Sequence, residues 1–158
     1  MVRISRLTDY ATVILANLAG EPDRVQNAST LAEQTRIAAP TVSKLLKQLQ
    51  RAGLVASTRG QHGGYQLARP ATQISAAAIL DALEGPVVLT DCSAGQGHCE
   101  IEETCRVGRV WQRLNAAIRR SLAEVSLAQL AGLDAAQIQP PALERELKTH
   151  AGRAPVRS

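Results

Sequence analysis

Between residues 6 and 19, apolar groups recur at Leu7, Tyr10, Ala11, Ile14, Leu15 and Leu18, one face of an amphipathic helix. Ser5 is placed to cap it, with Thr8 at the third position, and Asp9 falls in the first turn, where the helix dipole favours a carboxylate. The pattern lapses over residues 20–26, a loop, and a short helix follows through Leu31, Ala32 and Glu33, capped by Asn27 or Ser29. After a turn at Thr35, Arg36 and Ile37, the helical period resumes at Val42, Leu45, Leu46 and Leu49. Pro40 suits the first turn of this helix, where a missing N–H costs nothing, and Gly53 suits the residue just past its end. The period then changes. Leu54-Val55 and Tyr65-Gln66-Leu67 read as two strands joined through Arg59-Gly60-Gln61-His62-Gly63-Gly64, a glycine-rich hairpin. Helix, short turn, helix and hairpin together predict a winged helix-turn-helix.

Beyond the hairpin, Ser75 can cap a helix over Ala76–Leu83 that ends at Gly85-Pro86, and Val87-Val88-Leu89 has room for a bridging strand at most. From Val107 the period returns at Val110, Trp111, Leu114, Ala117, Ile118, Leu122 (or Ser121) and Val125, a helix of roughly five turns. So long a helix, carrying the only Trp, reads as the seam of a homodimer. Ser126-Leu127-Ala128-Gln129 is a capping box for one last turn ending at Gly132. Residues 133–158, with Pro140, Pro141 and Pro155, read as a flexible tail with one short helical segment at Ala142–Lys148. The expected architecture is mainly α with a small β-wing, a winged helix-turn-helix domain plus a long dimerisation helix. Its parts are a head over residues 1–85, a loop over 86–106, the long helix and last turn over 107–131, and a tail over 132–158.

Charge adds a direction. Arg36 to Arg69 holds six basic residues and no carboxylate. Residues 71–105 hold six carboxylates and no Lys or Arg. A basic front followed by an acidic insert implies two tasks: gripping a polyanion and holding something cationic or electron-poor. On the basic side, Thr41, Ser43, Lys44, Lys47, Gln48 and Arg51 lie off the apolar stripe of their helix, so they can read base edges and bind phosphates of double-stranded DNA. In the hairpin, Arg59 supplies the charge that a minor groove attracts, and Gly60, His62 and Gly63 sit at a tip slender enough to approach the backbone. With no clean secretory signal and no membrane-length apolar run, a cytoplasmic chain without a membrane partner is expected. No Ser/His/Asp or second-metal constellation supports catalysis, so an enzyme is not expected.

On the acidic side stand the three cysteines, Cys92, Cys99 and Cys105, an odd number in fourteen residues and no disulfide framework. Neither spacing is the short knuckle of most zinc sites. Wider spacing around Gly95 and Gly97 lets three thiolates converge on an iron–sulfur cluster, and a helix N-terminus after Cys105 with Arg106 favours the thiolate. A redox-sensing thiol set or a zinc site shares this pattern. A cluster wants a fourth ligand, for which Asp9, His98, Glu100, Glu102 and Glu103 are candidates.

Arg59-Gly60, Gly63-Gly64-Tyr65 and Leu67, the preceding Ala52-Gly53-Leu54-Val55, and a three-cysteine loop followed by a long helix resemble the IscR/NsrR-type regulators. These are dimeric winged-helix repressors and activators that sense an iron–sulfur cluster. Ser5 to Ala11, and Cys92 through Trp111-Gln112-Arg113, are most similar to the branch that controls the SUF cluster-assembly operon. The resemblance spans residues 1–131. It implies a helix at Pro40–Ala52 in the major groove, Arg59 in the minor groove, and cluster ligation by Cys92, Cys99 and Cys105. The isc-operon members place a histidine ligand three residues past the last cysteine, where Gly108 stands here. In nitric-oxide-sensing members an aspartate of the first helix, donated by the partner subunit, completes the site, and Asp9 falls at that position. The cluster is expected as 2Fe–2S, with 4Fe–4S the alternative. The expected role is a repressor controlling iron–sulfur assembly genes, or alternatively one sensing nitric oxide or redox state.

Overall fold

Four helices begin where a short polar side chain can receive a first-turn amide. The computed structural model describes residues 3–93 and 107–134. Ser5 caps α1 (Arg6–Gly20) and Asn27, rather than Ser29, caps α2 (Ala28–Thr35). Further on, Ser75 caps α4 (Ala76–Leu83) and Ser126, with Gln129, forms the reciprocal box of α6 (Leu127–Leu130). By contrast, α3 (Ala39–Arg51) has no side-chain cap and carries Pro40 in its first turn. Between α2 and α3 the chain turns through Arg36 at φ 56°, a left-handed conformation that a non-glycine side chain adopts at some cost.

Val42, Leu45, Leu46 and Leu49 of α3 are fully covered, meeting Ala11, Ile14, Leu15 and Leu18 of α1 and Leu31 of α2 in one core. Each such burial contributes roughly 2 kcal/mol before entropy is counted. The wing pairs β1 (Val55–Thr58) antiparallel with β2 (Gly64–Leu67), Val55 facing Leu67 and Thr58 facing Gly64. Its inner end, Leu54 and Val55, joins the core. At the end of the loop over residues 20–26, Gln26 exchanges both backbone hydrogen bonds with Tyr65, a one-residue bridge on the outer side of β2. That approach requires Gly64: a Cβ there would stand 2.5 Å from the Gln26 carbonyl oxygen.

The long helix, α5, runs Gly108–Glu124 as its period predicts. It and the residues just after it are tied to earlier parts of the chain at three places. Arg119 makes a two-pronged ion pair with Asp81 of α4 at 3.2 and 3.0 Å. Ala76 N–H donates to the Val125 carbonyl and Leu127 N–H to that of Ile74. Asn115 accepts a hydrogen bond from the Leu89 amide. Val87-Val88-Leu89 form no bridging strand; the Leu89 amide is bound by the Asn115 side chain instead of by a neighbouring strand. After α5 the chain returns to the head, where Leu127 of α6 is fully buried in the same core as α1.

Candidate nucleic-acid interface and cysteine segment

The face of α3 opposite its buried stripe presents Pro40, Lys44, Lys47 and Arg51 in register, spaced four, three and four residues apart, all exposed. Arg59, Gly60 and His62 are exposed at the wing tip, with Gly63 partly covered. A Cβ on Gly63 would meet Arg59 and Gly60 backbone at 2.9 Å, so the tip can turn this tightly only with glycine. The structure therefore presents the four basic residues Lys44, Lys47, Arg51 and Arg59 to solvent from two consecutive elements. Thr41 and Ser43 are only partly exposed. Gln48 is half-buried, with its Oε1 covered and without a hydrogen-bond partner among the described residues, so its carbonyl is turned away from solvent.

Sequence reasoning passed over two residues that orient this surface. Gln50 at the end of α3 donates its Nε2 to Ser57 Oγ of β1 at 2.7 Å, a strut between helix and wing. Neither residue is charged or apolar, so neither periodicity nor charge pointed to them.

Asp9 is exposed in the first turn of α1, and its carboxylate makes no hydrogen bond or ion pair among the described residues. One residue before it, the buried Thr8 hydroxyl donates to Glu84 Oε1, which also accepts the Ser5 amide at 2.9 Å. These bonds, that from Thr8 first, hold the Glu84 carboxyl below its ordinary value near 4.5. Glu84 follows the last residue of α4, so this carboxylate pins the start of α1 to the point where the chain leaves the head.

Cys92 lies in a 3₁₀ turn, Asp91–Ser93, that packs against α5. The turn is closed by Ser93 N–H to the Thr90 carbonyl at 2.8 Å and by the two hydroxyls of Thr90 and Ser93 at 2.9 Å. Cys99 and Cys105 lie outside the described residues, as do His98, Glu100, Glu102, Glu103 and the tail segment Ala142–Lys148. Among the described residues no group of His, Cys, Asp and Glu is assembled for a metal ion, and no helix is long and apolar enough to cross a membrane.

The pattern of the Rrf2 family, iron-dependent transcriptional regulators, matches residues 4–132. The chain belongs to the Rrf2 family. It is 30% identical over 131 residues to the transcriptional regulator NsrR of Oceanobacillus iheyensis, covering 82% of this chain and 89% of that protein. Among solved structures it is similar to CymR, the global cysteine regulator of B. subtilis (TM-score 0.68, 27% identity, 85% of this chain and 99% of that one). It is likewise similar to T. potens IscR (TM-score 0.61, 25% identity, 90% and 96%). The winged-helix fold and the basic surface thus belong to a DNA-binding transcriptional regulator, and members of this Rrf2 family are regulators rather than enzymes.

Proposed function

We propose that this Rrf2 protein is a homodimeric repressor that senses an iron–sulfur cluster and controls iron–sulfur assembly genes. The observation that carries it is the placement of Cys92 in a turn packed on α5, the helix whose uncovered apolar face suits a second copy. Cys92, Cys99 and Cys105 with Asp9 form the proposed ligand set, three thiolates and a carboxylate. The described part fits that role: Asp9 has an unengaged carboxylate, and the Cys92 backbone is fixed. A 2Fe–2S or 4Fe–4S cluster would supply an oxidisable, ligand-sensitive centre.

The rest is the work of the chain. Lys44, Lys47 and Arg51 grip phosphates and base edges along the major groove, aided by Thr41, Ser43 and Gln48, and Arg59 enters the minor groove with Gly60, His62 and Gly63 close to the backbone. A change in the order of the Cys92 turn reaches α5 directly. The Arg119–Asp81 pair and the Ala76–Val125 and Ile74–Leu127 bonds carry α5 and the head as one unit. A small tilt of α5 about a two-fold axis then changes the spacing of two reading surfaces, and operator affinity follows.

The test is protein isolated without oxygen. Iron, sulfide and cluster absorbance are expected, with operator affinity differing between loaded and cluster-free forms by the five- to roughly 150-fold typical of regulatory coupling. Colourless protein without iron or sulfide, or equal affinity of the two forms, sinks the reading. Titration with nitric oxide separates the alternative: release of the operator at stoichiometric nitric oxide, with iron supply held constant, would favour it.

A further inference from the structure

Asn115 is the only polar side chain buried on α5 among the described residues, at 6% exposure. A leucine of nearly the same size would favour that environment, so the amide carries a cost unless it is used. Its Oδ1 accepts the Leu89 N–H at 3.2 Å. Leu89 lies past the end of α4 and two residues ahead of the 3₁₀ turn that holds Cys92. Because Thr90 and Ser93 lock that turn to itself, the backbone of Cys92 follows wherever residues 89 and 90 are held.

We infer that Asn115 is a positioning residue: its side-chain oxygen fixes the entry to the cysteine segment against α5, so that Cys92 and the long helix move together. This bond joins a buried side chain of α5 directly to the backbone of the chain between α4 and that turn. The coupling role rests on the proposed cluster reading, whereas the pinning role does not.

Two measurements on the full chain keep these roles apart. In cluster-free protein, hydrogen exchange of the Leu89 amide is expected to quicken about five- to tenfold in Asn115→Leu, the effect of losing one hydrogen bond. Asn115→Ala should shift it in the same direction, and Asn115→Asp, which keeps an acceptor oxygen, should stay near wild type. Unchanged exchange in both Asn115→Leu and Asn115→Ala overturns the pin, whatever the cofactor. In protein loaded without oxygen, the ratio of operator Kd values between cluster-free and loaded forms is expected to fall in Asn115→Leu to within about twofold of unity. Its thermal midpoint and sedimentation should remain those of wild type. A wild-type ratio overturns the coupling role. If the wild type itself carries no cluster, the preceding reading fails and the exchange result still decides the pin.

Discussion

The helices α3 and α5 are built on the same plan and end in opposite circumstances. Both alternate an apolar stripe with basic residues. On α3 the stripe is wholly covered, because α1 and α2 lie within reach of a short chain and the basic face is left for solvent. At the start of α5 the stripe stays uncovered, with Val107 just ahead of the helix at 58%, Val110 at 63% and Trp111 at 41% exposure. Further along, Ile118 and Leu122 line a cleft of about 370 Å³ beside the 85–89 segment. Amphipathic spacing states that a face must be covered; it does not state by what. In the head the chain covers its own face, and on α5 the cover proposed is a second copy.

The largest effect is expected at the wing. Gly64→Val is expected to break the Gln26–Tyr65 bridge, cost at least about 2–3 kcal/mol through overpacking, and remove operator binding, with the loss visible in thermal melts. A variant that melts and binds like wild type would mean that the head does not need that bridge. On the other helix, Trp111→Ala should leave the head folded but weaken dimerisation by about 2–4 kcal/mol, read by sedimentation across a dilution series. An unchanged dimer constant, or no dimer at all, would overturn α5 as the proposed seam.

Smaller effects sharpen the contrast within the head. Arg59→Ala should weaken specific operator binding by about 1–3 kcal/mol, and Lys47→Ala should weaken all sequences alike and lower the slope of log affinity against log salt by about 1. Competition and salt titrations check both. The smallest effect concerns Glu84. Its folded carboxyl titrates below its ordinary value, so the stability it adds is present above pH 4.5 and is lost as pH falls through the depressed value. Melting temperature should therefore decline more steeply below pH 4.5 in wild type than in Glu84→Gln; parallel acid limbs would show that the Thr8–Glu84–Ser5 link adds nothing.

The helix starts at Ser5, Asn27, Ser75 and Ser126, the wing and the extent of α5 were legible in the sequence, because capping, turn chemistry and apolar period act over a few neighbouring residues. The exposed basic face of α3 was legible for the same reason: once the stripe of α3 is known, the opposite face follows from the helical repeat. Gln48 shows the limit, since the repeat places the residue but not the turn of its amide. Other features join residues far apart in the chain. Thr8 meets Glu84, Asp81 meets Arg119, Leu89 meets Asn115, and Gln26 meets Tyr65. No local pattern encodes such pairs, whose partners are chosen only when helices and strands pack. By itself the sequence determined which elements form and which face of each is apolar or basic, because those follow from spacing along one chain. Only the tertiary structure decided that the apolar face of α3 is closed by its own chain while Val110 and Trp111 at the start of α5 stay exposed, because covering a face depends on which other surfaces folding brings to it.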